Sequence, residues 1–343
     1  MPLEVVSTDG RTFRYREYVL QTLGPRDVRV RVEFAAPKHG TELHSLSGNP
    51  HHRKRWDETL RIYLPLPKPL PLTERPVGNM VVGSVTGVGS GATRFSPGDR
   101  VFGYGPIREE HQLSEDSWRP LGSLSDTDAV CSDPAHVALV AVRDGNVRIG
   151  DAVAVFGMGA IGLMTVQIAA RSGATKVIAV DPIECRRSTS GELGADLLVD
   201  PSAEDAGLRI KRATDSHGVD VAIETSGSAA ALHESIRAIR QCGTIVHVPY
   251  GPKDASTLHL DEEFHVNRPT IIGSQAVWQN PDRSYPLWDE ERARVTAIDL
   301  FRRGMVTSEG IVTPIVGFRD AAQALSDSLG APDRAIKIGV RFP

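Results

Sequence analysis

The residues with the clearest chemical meaning are three glycines. Gly157, Gly159 and Gly162 stand in "GMGAIG" as G-x-G-x-x-G, with Ala160 and Ile161 inside the motif. The preceding "DAVAVFG" reads as a strand, and the following "IGLMTVQIAARSG" reads as a helix closed by Gly173. In a strand–turn–helix context each glycine has its own task. The first permits the tight turn, the second lets the backbone approach a pyrophosphate, and the third lets helix and strand pack closely. The helix N-terminus then offers N–H groups to the phosphates. Asp181 ends the next strand, "KVIAVD", 181 − 162 = 19 residues beyond the third glycine. An acid about 20 residues on is the group that hydrogen-bonds an adenosine ribose. A carboxylate there repels a 2′-phosphate, so the expected cofactor is NAD, with NADP disfavoured. Arg186 and Arg187 follow closely and weaken that preference.

Two kinds of element must position such a turn. From about Ala135 onward strands and helices alternate. "VDVAIETSG" is a strand, "AALHESIRAIRQCG" a helix, and "TIVHVPYG" and "PTIIGSQA" are strands. Apolar strands between helices imply a parallel sheet covered on both faces. The first third is different. "DVRVRVEFAA" alternates with period two, and "NMVVGSVTGVGSG" and "PGDRVFGYG" read as short strands around turns, giving an all-β or α+β unit. After the parallel unit come an amphipathic helix in "DEERARVTAIDLFRRG", a short helix in "DAAQALSDSLG" and a last strand in "RAIKIGVRF". The stretch Asn49 to Pro76 has a basic, His-rich start and a proline-laden end. Its prolines exclude a continuous helix or central strand, so a long surface loop is expected. The apolar run Ala152 to Ala170 approaches the length of a membrane span, but its glycines make it a β-turn-α unit.

Length and composition agree with this reading. A chain of 343 residues makes about two domains. Apolar and charged shares of 40% and 24% are those of a soluble globular protein. The net charge, 39 − 43 = −4, leaves no basic footprint for nucleic acid or an anionic membrane. Cys131, Cys185 and Cys242 are few, odd in number and far apart, which points to a reducing compartment, the cytoplasm. The opening "MPLEVVSTDG" has no basic region followed by an apolar core, so no secretory signal is expected.

Along nearly its whole length the chain resembles the medium-chain dehydrogenase/reductase family, near the polyol and bacteriochlorophyllide-dehydrogenase-like branch. The matching segments are "GTELH", "GSVTGVGSGATRFSPGDRVFG", "GDAVAVFGMGAIGL", "VIAVD", "LGAD", "GVDVAIETSG" and "AIKIGVRF". The resemblance implies an α/β protein with a GroES-like β-rich catalytic domain over 1–136, completed by 277–343. A Rossmann NAD-binding domain with a doubly wound parallel sheet would occupy 137–276. It also implies a small-molecule substrate and a homodimer or homotetramer, with "PTIIGSQA" as the pairing edge.

The same resemblance shows what has changed. Zinc-dependent relatives carry a Cys-Gly-Thr-Asp-x-x-His-type loop, then Gly-His-Glu, then a downstream Glu or Cys. Here the loop reads His39-Gly40-Thr41-Glu42-Leu43-His44, the second position reads Gly78-Asn79-Met80, and the third reads Asp133-Pro134. Amide and thioether are poor zinc ligands, and no cysteine lies between residues 80 and 130. Neither catalytic nor structural zinc is therefore expected, although His39 and Asp133 remain possible ligands for some metal. In zinc's place His39 is the expected acid or base, tuned by Asp133 or Lys38, since an imidazole titrates near neutral pH. The alternative for His39 is a purely steric replacement. Thr41 and His44 keep the family's relay positions, as orienter of the reacting oxygen and as proton exit.

Further cofactor positions follow from the resemblance: Thr225 and Ser226 near the adenosine half, Val248 and Tyr250 near the nicotinamide, Ser274 beside its carboxamide, and Lys337 at the pyrophosphate. The implied reaction is zinc-independent, NAD-dependent hydride transfer between nicotinamide and a secondary alcohol or ketone, with a polyhydroxylated substrate favoured. The alternatives are a quinone or enoyl reductase, a redox-neutral epimerase or lyase retaining NAD, and a cofactor-binding protein without turnover.

Overall fold

A computed structural model describes residues 1–38, 40, 53–250, 254–276 and 288–343. Its strands up to residue 120 are β1 (Leu3–Ser7), β2 (Phe13–Glu17), β3 (Asp27–Ala36), β4 (Lys54–Asp57), β5 (Ile62–Pro65), β6 (Arg75–Pro76), β7 (Met80–Val88), β8 (Arg100–Tyr104), β9 (Glu110–Ser114) and β10 (Trp118–Pro120). Helix α1 (Asp126–Asp144) leads into β11 (Ala152–Phe156), α2 (Ala160–Arg171), β12 (Lys176–Val180), α3 (Glu184–Glu192), β13 (Leu197–Val199) and α4 (Ala206–Ala213). Then come β14 (Val219–Glu224), α5 (Ala229–Ala238), β15 (Ile239–His247), α6 (Glu263–Asn267) and β16 (Thr270–Gly273). The chain closes with α7 (Glu290–Arg302), β17 (Val312–Gly317), α8 (Ala321–Gly330) and β18 (Lys337–Arg341).

One compact unit holds residues 1–130, 250–252 and 313–343. Its main sheet runs β10-β8-β7-β3-β18-β17, with β9 also paired to β3. The period-two alternation of β3 explains its place. Val28, Val30 and Val32 point into a core shared with Val81 and Val85 of β7 and Ile338 and Val340 of β18. Each such side chain, fully buried, contributes roughly 1.5–3 kcal/mol. The proline-rich stretch is not wholly loop: β4 and β5 pair as an antiparallel hairpin, with the Trp56 and Tyr63 rings 5.1 Å apart. The hairpin ends at Pro65, where the alternating prolines begin, so the expectation of a plain loop is corrected for residues 54–65.

A buried histidine lies in this unit. His111 on β9 packs edge-on to Trp118, and its Nε2 lies 3.0 Å from the Pro106 carbonyl oxygen. Gly105 leaves the room, because a Cβ there would sit 2.5 Å from the ring. Burial, aided by the nearby Arg108 charge, pushes the imidazole pKa down from 6.5 to about 3. Between these values the unfolded chain binds a proton that the folded chain refuses, so stability falls as pH drops from 6.5 toward 3. The expected slope is roughly 1.4 kcal/mol per pH unit from this residue. His111→Phe should flatten that part of the pH–stability profile in urea melts, and an unchanged slope would contradict it.

The second unit holds residues 131–249 and 253–312. Six parallel strands lie in the order β13-β12-β11-β14-β15-β16. This is the doubly wound arrangement, with its switch of direction between β11 and β14. Ala154, Phe156, Ile178, Val180, Ala222 and Ile245 from the four central strands are buried in one cluster. Elements β13, α3 and α4 add to those that the sequence pattern predicts. The helix expected through to Gly243 is shorter: α5 stops at Ala238, and Ile239 already pairs with Val219 of β14.

In this division residues 253–312 fall in the second unit and 313–343 in the first. Helix α7 buries Ala293, Ala297, Ile298 and Phe301. The segment after it is fastened to α2: Gln167 Nε2 donates to the Thr307 carbonyl at 3.0 Å, and Thr307 N–H donates back to Gln167 Oε1 at 2.8 Å. No helix among the described residues is long and apolar enough to cross a membrane, and none of Cys131, Cys185 and Cys242 forms a disulfide among them.

Candidate functional site

The glycine turn is set by packing at two positions and left open at the third. Gly157 has φ +91°, and a Cβ there would meet Ser226 at 2.6 Å. A Cβ on Gly162 would lie 1.8 Å from the Gly157 carbonyl oxygen. Gly159 differs: a Cβ built on it meets nothing within 4 Å. It is the N-cap of α2 in extended backbone and provides no side-chain cap, so the first N–H groups of the helix, with Ala160 and Ile161 behind it, are left for another partner. Open space at the middle glycine, above an uncapped helix N-terminus, fits a pyrophosphate.

Asp181 sits beside this turn, 4% exposed. One of its oxygens accepts from Met158 N–H at 2.6 Å, and the other from Ile183 N–H at 2.8 Å. The carboxylate thus braces the glycine turn as well as ending β12, and each oxygen keeps a second lone pair for a ribose hydroxyl. Arg186 lies half-buried on α3. Arg187 is committed to structure, pairing with Asp200 at 2.9 Å and donating to the Asp181 carbonyl at 2.7 Å.

The carboxyl edge of β14, β15 and β16 gathers more of the expected residues. Thr225 Oγ1 donates to the Gly157 carbonyl at 2.8 Å, locking the strand end to the glycine turn. Ser226 donates from both N–H and Oγ to Glu224. Val248 N–H bonds the Glu224 carbonyl at 3.0 Å, and Ser274 N–H bonds the His247 carbonyl at 2.9 Å. Two residues in this arrangement, Glu224 and His247, were missed from sequence, although each directly precedes one that was named.

Tyr250 follows two residues after Val248. It belongs to the first unit, where its phenol hydrogen-bonds Tyr63 of the hairpin and burial raises its pKa. Pro249 cannot extend the β15 ladder, and the strand ends before it. Lys337 also belongs to the first unit, and its buried ammonium group donates to the Pro37 carbonyl at 2.7 Å.

That contact places Lys337 beside the end of β3, together with two other expected residues. Lys38 follows β3 and is half-buried. Asn79 N–H donates to the Ala36 carbonyl at 3.1 Å, and Gly105 N–H donates to the Asn79 carbonyl at 3.0 Å. Gly78 before it has φ +145°, and a Cβ there would strike Ile107 N at 2.4 Å. His39, Thr41 and His44 themselves lie outside the described residues. Asp133 is 3% exposed within α1, ahead of Pro134.

Two of the described residues at the zinc-ligand positions of relatives are poor zinc donors. At the second ligand position Asn79 offers an amide, and Met80 is buried in the sheet core, 3% exposed. Among the described residues, ligand-type side chains converge in a group of three only at His233, Glu262 and Glu263, where Arg237 already pairs with Glu263 at 3.4 Å.

A doubly wound unit with this glycine turn, joined to a separate β-rich unit, defines the two-domain dehydrogenase class. The chain belongs to the medium-chain dehydrogenase/reductase superfamily and is an oxidoreductase. The zinc-binding dehydrogenase family matches residues 160–289. D-guloside 3-dehydrogenase of Escherichia coli (strain K12) is 36% identical over 350 residues, covering 99% of each chain. (R,R)-butanediol dehydrogenase of Bacillus subtilis (strain 168) is 30% identical over 263 residues, covering 67% of this chain and 72% of its own. The fold is shared with ECK1772 from Escherichia coli, an oxidoreductase/dehydrogenase of unknown specificity involved in membrane biogenesis. That likeness has a TM-score of 0.80 at 22% identity over 100% of both chains.

Proposed function

We propose that this protein is an NAD-linked dehydrogenase that oxidises a secondary hydroxyl of a sugar-type substrate to a ketone, without catalytic or structural zinc. The observation that carries the substrate class is the end-to-end similarity to a D-guloside 3-dehydrogenase, at 36% identity. The cofactor reading rests on the open space at Gly159 and on Asp181 beside the turn. The bound nicotinamide supplies the hydride acceptor. The α2 N-terminus holds the pyrophosphate, and Asp181 takes the adenosine ribose. His39 receives the proton that leaves the substrate's hydroxyl, while Thr41 orients the oxygen and His44 passes the proton to solvent. Lys38 and Asn79 stand at the start of that loop, and Asp133 or Lys38 tunes His39. Thr225, Ser226, Val248 and Ser274 serve the cofactor along the strand edge, with Tyr250 expected at the nicotinamide and Lys337 at the pyrophosphate.

A quinone or enoyl reductase using NADPH is opposed by the carboxylate of Asp181. The exposed edge strand β16, with Ile271 40% exposed, is the pairing edge of a homodimer in this reading.

The test is NADH formation on a panel of glycosides, free sugars, polyols and simple secondary alcohols. Stoichiometric NADH and ketone with glycosides are expected. Isomerised product without net NADH would instead mark a redox-neutral enzyme. Asp181→Ser should weaken NAD binding roughly 10-fold, about one hydrogen bond to a charged group, and narrow the preference over NADP. Equal losses for both cofactors in calorimetric titrations would contradict the ribose role.

A further inference from the structure

Glu224 and His247 are Cα partners at the carboxyl ends of β14 and β15. Glu224 is fully buried. Its Oε1 accepts Ser226 N–H at 2.6 Å, Ser226 Oγ–H at 2.5 Å and Gly227 N–H at 2.8 Å. A carboxyl oxygen receiving that many donors is held in one orientation. Its Oε2 lies 3.0 Å from His247 Nδ1. The contact is close without being a formed hydrogen bond, and neither buried atom has another hydrogen-bond partner. The contact is nonetheless informative about the proton. At this distance a bare Nδ1 would set its lone pair against the carboxylate, so the ring proton resides on Nδ1 and Nε2 is left as an acceptor. Nδ1 is buried while 24% of the side chain is exposed, so the exposed part lies elsewhere on the ring.

The turn at residues 224–227 needs the carboxylate but not the imidazole. What the imidazole faces follows from the topology. A doubly wound sheet binds its dinucleotide one mononucleotide to each half. The β11–β13 half carries the glycine turn and Asp181, hence the adenosine side. The β14–β16 half, with His247 at its carboxyl edge, is left for the nicotinamide side.

We propose that His247 hydrogen-bonds the nicotinamide-side ribose of the dinucleotide, with Glu224 as the positioning residue that fixes its tautomer. This rests on the dinucleotide reading of the glycine turn. Binding of NAD and of ADP, which lacks the nicotinamide nucleoside, separates the two ideas.

In calorimetric titrations, wild-type protein should bind both ligands. His247→Ala should weaken NAD by roughly 10-fold, the upper end for loss of one neutral hydrogen bond, and leave ADP within about 2-fold. NAD and ADP weakened together, or NAD unchanged, would overturn the role of His247 while leaving the glycine turn intact. Wild-type protein that binds neither would overturn the dinucleotide reading and this inference with it. His247→Asn keeps a donor toward Glu224 and serves if the alanine variant does not fold. Nitrogen NMR of the ring supplies a readout that a merely structural role would not move. The His247 resonances of the wild-type protein should shift with NAD and not with ADP, and Glu224→Gln should move the ring proton toward Nε2. Equal shifts with both ligands, or an unaltered tautomer, would count against the proposal.

Discussion

Gly159→Val is expected to leave the fold intact and to weaken dinucleotide binding by about 100-fold or more, some 2.7 kcal/mol. A Cβ at this position meets no protein atom within 4 Å and sits on extended backbone, so the fold leaves room for a side chain. It occupies the space through which a pyrophosphate must approach the α2 N–H groups. Gly162→Ala should do the reverse. Its Cβ falls 1.8 Å from the Gly157 carbonyl oxygen, a backbone atom that cannot swing aside as a side chain would. Overpacking of this kind costs roughly 1–3 kcal/mol or more and should appear as a lower melting temperature before any ligand is added. Thermal melts and NAD titrations of both variants check the pair. If Gly159→Val bound NAD as tightly as wild type, the cradle assignment would be wrong.

His39→Ala is expected to lower turnover by roughly 10²- to 10⁴-fold, the range for loss of a general acid or base. NAD affinity should stay within about 2-fold, because the cofactor's phosphates and adenosine ribose are held by the second unit in this account. Single-turnover kinetics would locate the loss in the chemical step. His44→Gln should slow turnover less and recover partly with small buffer bases, since a base in solution can replace a proton exit. Unchanged turnover in His39→Ala would reduce His39 to a steric replacement for the lost cysteine.

The parallel sheet and its glycine turn were legible because strand, turn and helix each left a periodic or compositional mark. The division of labour among the glycines was not. Gly157 and Gly162 are held to glycine by protein atoms, and Gly159 by the absence of any, a distinction that three identical letters do not carry. The end of α5 was hidden because Ile236 and Ile239 continue the helical spacing, although Ile239 belongs to β15. The hairpin in the proline-rich stretch was masked by Pro65, Pro67, Pro69 and Pro71, which begin only where the second strand ends. Glu224 and His247 are far apart in sequence and meet through parallel strand register, which no local motif encodes. The expectation of zinc independence rests on Asn79 and Met80, which stand where the zinc-dependent pattern carries imidazole and carboxylate.

The central claim is dehydrogenation of a sugar hydroxyl without a metal. The direct measurement is NADH formation from a glycoside by protein dialysed against a strong chelator, with residual zinc quantified by mass spectrometry. The account predicts full turnover at far less than one zinc per chain. Turnover that disappears on chelation and returns in proportion to added zinc would contradict it.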